Sequence, residues 1–288
     1  MVDINEITPK YSKEDLKTFN NESPFMDANV ELLKQTIQLL GHILEKKYFD
    51  VDVPKIIDRE SAVLAGNIVR LIKLNTSLLQ NICDCKLEIC YIVGRCLSET
   101  AINIMYMLSN TEQSVIRNYI KYSLITEKEI FEIVSANVRE RNGEMESIED
   151  RIQKSIERSF ESSDFDFEEV KRSSKWKTLK SRADVLAGDL FYNVYYGSAS
   201  HSIHGNWQDI LANNLKKHEG GFSVNVEWQT PRPQIMDGPI ILNLQIIMQF
   251  VENELNDEEN MDILIDKCKE LLEYQGDLYD CHEKWLAN

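Results

Sequence analysis

Glycine and proline are scarce in this chain, 11 and 6 among 288 residues. That scarcity argues against a loop-rich β protein, whose turns consume both residue types. No stretch reaches 18 consecutive apolar residues. The most apolar one, Ile240 to Val251, is interrupted by Asn243, Gln245 and Gln249, and reads as a core helix rather than a membrane span. The N-terminus lacks the basic-then-apolar pattern of a secretory signal. The six cysteines (Cys83, Cys85, Cys90, Cys96, Cys268 and Cys281) form no CxxC pair, so a structural zinc site is not indicated. The expectation is a reducing cytoplasmic setting with free thiols, no metal and no cofactor. Internal repeats and low-complexity tracts are absent as well.

Basic charge is also short: 32 Lys and Arg stand against 48 Asp and Glu, a net charge of −16. Affinity for nucleic acid comes largely from counterion release by Lys and Arg, so RNA is admitted only through a local basic groove. Residues 252–288 alone hold 12 acids and 3 lysines. That stretch is either a solvated outer face or a docking surface for a basic protein partner.

What the chain has is length, 43% hydrophobic residues, and helical spacing of Leu, Ile, Glu and Lys. The fold class expected is all-α, a multi-helix bundle with a small β element near residues 222–236. Residues 1–28 read as an irregular N-terminal segment and 29–288 as a single helical domain, with a charged exposed excursion at 144–172. Predicted helices run from Asn29 to Tyr48, Pro54 to Ile82, Cys83 to Asn110, Thr111 to Asn142 (as one helix or two), 176 to 215, Gly238 to Leu255 and Glu258 to Leu286. Phe222 to Trp228 alternates apolar and polar residues and predicts a strand, to be paired with 232–236 or with a second subunit.

Two constellations carry candidate chemistry. Arg95 and Glu99 are four residues apart on a helix that is otherwise apolar. Charged groups inside a core must be paired, so the two read either as a buried ion pair or as an arginine positioned for a phosphate. The second lies on the 176–215 helix, where Arg182, Asp189, Asn193, Tyr196, Ser200 and His204 fall on one narrow face at about 100° per residue. His204 suits an acid or base near neutral pH, Ser200 a nucleophile or hydrogen-bond partner, and Tyr196 a donor to a developing oxyanion. The plain alternative is a polar seam between helices. Lys171, Arg172, Lys175, Lys177, Lys180 and Arg182 surround Trp176 in a basic, aromatic-bearing patch suited to a phosphate backbone or simply to solvent.

Arg95-x3-Glu99, then Trp176, Arg182, Tyr192, Tyr196 and Ser200-x3-His204-Gly205, resemble an uncharacterised all-helical bacterial family, a domain of unknown function with an R-x3-E helix and a Tyr-rich helix ending in S-x3-H-G. The resemblance covers roughly 60–210 and implies a helical bundle in a bacterial or phage-defence setting. A weaker likeness is to HEPN ribonucleases, helical bundles marked by R-x4–6-H. The chain departs from that motif: no arginine stands four to six residues before His204 or His201, and Arg95 would have to supply the guanidinium from another helix.

These readings make the expected function a defence or toxin-type effector, a metal-independent ribonuclease. In it, His204, Ser200, Tyr196, Arg95 and Glu99 are catalytic, and Arg182, Tyr192, Trp176 and Lys180 bind substrate. The alternative is a non-catalytic helical scaffold or sensor that binds a protein through its acidic face. Either is expected to act as a homo-oligomer or with a cognate partner protein, away from membranes.

Overall fold

The computed structural model describes residues 4–50, 53–110, 112–171, 176–186, 203–255 and 258–287. Among them are ten α-helices and four short strands: α1 Lys13–Leu16, α2 Glu22–Tyr48, β1 Phe49–Asp50, β2 Val53–Pro54, α3 Arg59–Cys83, α4 Leu87–Leu108, α5 Gln113–Glu140, α6 Ser147–Ser163, α7 Leu179–Leu186, α8 Trp207–Asp209, β3 Leu215–His218, β4 Gly221–Val224, α9 Asp237–Glu254 and α10 Glu258–Leu286. The chain is all-α with two small antiparallel hairpins, β1–β2 and β3–β4. Its contacts divide it into two compact units. The first holds 1–57, 64–109 and 179–288, and the second holds 58–63 and 110–178.

The first unit is built on α9, which packs against α2, α4 and α10. A helix this apolar is expected to be largely buried, and Ile240, Leu242, Leu244, Ile246, Ile247, Phe250 and Val251 are all fully buried. Pro239 falls in the first turn, where a missing N–H costs nothing. Of the three polar residues in this run, Asn243 is fully buried too. Its amide nitrogen donates to Thr36 Oγ1 (2.9 Å) and to Asn75 Oδ1 (3.2 Å). The Asn75 amide returns a bond to Asn243 Oδ1 at 3.0 Å. Helices α2, α3 and α9 are thus tied by reciprocal amide bonds in the middle of the core.

Among the described residues, one helix, α3, is long and apolar enough to cross a membrane. Its Leu64, Ile68, Leu71, Leu78 and Ile82 instead join the apolar core of the first unit, and Asn75 bonds within it, as befits a core helix.

The second unit is an α5–α6 helical hairpin. Asn142 (φ 56°) and Gly143 (φ 91°) turn the chain between the two helices, a left-handed exit that glycine accepts most readily. Glu149 closes a capping box at the start of α6 and pairs with Arg141. Ile120, Leu124, Ile156, Phe160, Phe165 and Val170 form its core. The Phe165 ring is held among Arg117, Lys121 and Arg59 at 5.1, 4.8 and 5.0 Å. Residues 144–172 therefore do more than make an exposed charged excursion. Their polar composition hid the spaced Ile156, Phe160 and Phe165, which cover α5.

Other local expectations shift. The helix expected from Asn29 begins at Glu22, capped by the Asn21 side chain, which accepts from Ser23 N at 3.1 Å. Pro54 lies in β2 rather than in a first helical turn. The start of α3 is set instead by Asp58, which accepts from the Ser61 N–H at 2.9 Å. The 176–215 helix is not continuous: Gly205 adopts φ +54° and Asn206 caps α8. Strand β4 pairs with β3, not with 232–236, because Gly220 (φ +87°) permits a tight hairpin. Pro233–Met236 forms a 3-10 turn ahead of α9.

Asp237, the first residue of α9, is buried, and burial pushes its carboxyl up to about 7 from an ordinary 3.8. The nearby Glu283 adds to the shift, and the Gln275 hydrogen bond (2.7 Å) opposes it. The folded state thus keeps a proton that the unfolded chain releases near pH 4, so this group lowers stability as pH rises from about 4 to 7. Thermal unfolding of wild type and Asp237→Asn across that window should show the variant gaining on wild type as pH rises. Parallel profiles would remove Asp237 as the cause.

Candidate functional site

The candidate site is assembled on α4. Arg95, Glu99 and Asn103 recur every four residues and share a stripe along this helix. Arg95 is half-buried and Glu99 is exposed. Glu99 is therefore not half of a buried ion pair; its carboxylate stays in solvent, which spares the cost of desolvation.

Helix α7 packs on α4. Ala183, fully buried, is a small side chain that lets the backbones approach. One residue earlier, Arg182 is only 4% exposed, and its guanidinium donates to Asn103 Oδ1. This contact brings a residue of the second constellation onto the stripe of the first, 79 positions away in sequence. Sequence reasoning misses Asn103, although the four-residue step from Arg95 and Glu99 points to it. It also misses Arg70, which reaches α4 from α3 and donates from Nε to Thr100 Oγ1 at 3.2 Å. Arg182, expected to bind substrate, is buried and bonds Asn103 across α7 and α4.

His204 is exposed and sits in the last helical turn before Gly205, whose left-handed conformation stops the helix. Beyond it, Asn206 Oδ1 accepts from Asp209 N at 3.3 Å and starts α8, so the chain changes direction beside His204. Tyr192, Tyr196 and Ser200 lie outside the described residues, as do Asp189, Asn193 and His201. Lys180 is exposed on α7. Trp176 belongs to the second unit, where its ring meets Tyr119 edge-on at 5.2 Å; that packing accounts for the tryptophan without a nucleic-acid base. Of the basic patch around it, Lys171 and Lys177 are exposed, while Arg172 and Lys175 lie outside the described residues.

Elsewhere the chemistry is restrained. Burial pushes the Cys90 and Cys268 thiols up to about 12, which leaves them protonated and inert. All six cysteines are free. His42 is buried and burial lowers its pKa, so it stays neutral in the core. His282 stacks on Trp285, meets Phe25 at a tilt and lies 3.2 Å from Glu22 Oε1. His218 shares a 2.7 Å hydrogen bond with Ser223 on the exposed β3–β4 hairpin. A cleft of about 340 Å³ in the second unit is rimmed by Glu157, Glu161, Asp164, Asp166 and Glu169, a charge pattern that repels phosphate.

Fold and site together define an all-α protein with an arginine-bearing polar stripe on one central helix. The chain belongs to the family of unknown function DUF5677, which it matches over residues 61–222. That span contains α4, α7, His204 and most of the β3–β4 hairpin. No curated protein and no solved structure matches the chain.

The Arg182–Asn103 contact yields a stability prediction. Arg182→Ala should destabilise the fold by about 1–3 kcal/mol, through loss of a buried, hydrogen-bonded side chain and of the partner of half-buried Asn103. Arg182→Lys should recover little, since an ammonium lacks the planar fork. Urea unfolding of the three proteins checks this; a lysine variant as stable as wild type would show that charge alone suffices.

Proposed function

We propose that the polar stripe of α4, with the segment ending at His204, is a phosphodiester-cleaving site, and that the protein is a metal-independent ribonuclease. The observation that carries the reading is the bond from buried Arg182 to half-buried Asn103, which sets α7 against the stripe bearing Arg95 and Glu99. In this reading Arg95 is the phosphate ligand. His204 takes the proton of a ribose 2′-hydroxyl as that oxygen attacks phosphorus. The 5′-oxygen then leaves and is protonated by solvent, giving a cyclic phosphate and a 5′-hydroxyl. Arg95 offsets the charge that builds on the phosphorane. Ser200, Tyr196 and Glu99 orient the reactants, and Lys180 with Tyr192 guides the strand. The sequence resemblance adds a defence or toxin-type role to this reading, and the free thiols and polar N-terminus add a cytoplasmic setting.

A second reading has its own observation. The acids of α10 are largely exposed, among them Asp262, Asp266, Glu270, Glu273 and Asp280, and Lys13 bridges Glu273 and Asp277 at 2.6 and 2.8 Å. This helix would dock a basic protein partner in a non-catalytic scaffold.

Because His204 is exposed, replacing it should leave stability within about 0.5 kcal/mol of wild type, so loss of activity can be read directly. Purified wild type, His204→Ala and Arg95→Ala should be incubated with end-labelled RNA and with its 2′-deoxy counterpart in chelator. The expected result is cleavage of RNA only, slowed roughly 100- to 10,000-fold in His204→Ala, the usual share of an acid–base residue. Intact RNA with all three soluble proteins, or equal cleavage by wild type and His204→Ala, would overturn the reading and favour the scaffold.

A further inference from the structure

The stretch from Ile203 to Trp228 exposes an unusual amount of apolar surface. Ile203, Trp207, Ile210, Leu211, Phe222, Val224, Val226 and Trp228 are all exposed, Val224 by 78% and Val226 by 91%. The ring contact of Trp207 with Phe222, 5.7 Å between centroids, joins α8 to the hairpin in one patch. Single exposed apolar side chains need no explanation, but a contiguous cluster marks an interface.

The hairpin is incomplete as it stands. Two strands alone are marginal in water, and every residue of β4 is exposed. Lys216 faces Ser223, and the Asn225 N–H bonds the Asn214 carbonyl at 2.7 Å, so Gly221, Ser223 and Asn225 direct their backbone groups toward β3. Phe222 and Val224 direct theirs to the other edge, where no described residue receives them. Natural sheet edges are protected by charge, proline or a bulge. The run Gly221 to Asn225 has neither a charge nor a proline.

We infer that this edge is closed by the same strand of a second copy of the chain, paired antiparallel about a two-fold axis through Ser223. Phe222 of one copy then faces Val224 of the other, twice, and four backbone hydrogen bonds join two hairpins into a four-stranded sheet. The pairing is self-complementary, as an isologous contact requires. No like charges are opposed within Gly221–Asn225, and Glu227 beyond it is neutralised by Lys216 at 3.0 Å.

Charge favours a second copy at this place. The chain carries −16 overall, yet Ile203 to Trp228 holds two lysines and three acids, so two acidic molecules can meet here with little repulsion. Area agrees. Aromatic side chains offer about 150–250 Å² apiece, and half of that is open here; with the aliphatic neighbours the patch reaches several hundred Å², the order of one partner's ~800 Å² share of a standard interface. The assignment is independent of the ribonuclease reading.

The test is the solution mass of the full chain by light scattering after size exclusion, at micromolar concentration. Wild type should have twice the mass of one chain. Phe222→Lys and Val224→Glu should each run as folded monomers, with unchanged far-UV circular dichroism. The double variant Phe222→Lys/Val224→Glu should regain the dimer, because the new lysine and glutamate then face each other across the pair. Val224→Pro gives a second check: it removes an outward N–H while sparing the β3 ladder, and should also yield a monomer. A monomeric wild type, single variants that stay dimeric, or a folded double variant that stays monomeric would each overturn the inference.

Discussion

The amide pair between Asn75 and Asn243 fixes the register of the first unit. Thr36 completes it from α2, so three helices far apart in sequence are locked by bonds with no slack for sliding. Apolar packing alone is permissive: many helix registers bury similar area. Two buried amides satisfied by each other admit one register, since any shift leaves donors stranded in the core. Helix α9 buries most of its surface, and α2, α4 and α10 pack against it.

The candidate site depends on that arrangement at one remove. Helix α4 rests on α9 through its apolar side, which includes Leu97, Ala101, Ile104 and Met105. This leaves the Arg95–Glu99–Asn103 stripe for other elements, and α7 docks there through Arg182 and Ala183. The same logic separates structural from chemical polar residues. Asn75, Asn243 and Arg182 are buried and spend their hydrogen bonds on the fold. Glu99 and His204 are exposed to solvent.

Much of the fold could be read from periodicity. Helices α5, α9 and α10 fall close to their expected limits because their apolar spacing is regular and their ends carry Asn142-Gly143, Gly238-Pro239 and Glu258. The early start of α2 was obscured by Pro24, which suits a first turn as well as a loop. The second unit was obscured by charge: charged residues recur throughout α6, while Ile152, Ile156 and Phe160, spaced by four, decide its packing. The break at Gly205 was hidden because the flanking residues continue a helical pattern, and only the backbone's left-handed turn interrupts it.

The sequence by itself determined the class, the helix-forming segments and the residues worth examining, since these follow from local spacing and composition. Tertiary structure decided which polar residues are buried. Arg182 and Glu99 were both placed on polar stripes by helical geometry, yet one is buried against Asn103 and the other faces solvent. Burial depends on what a second helix covers, and a stripe read along one helix carries no information about its neighbour. The pairing of β4 with β3 and the open edge it leaves were settled the same way, by contacts between segments rather than within them.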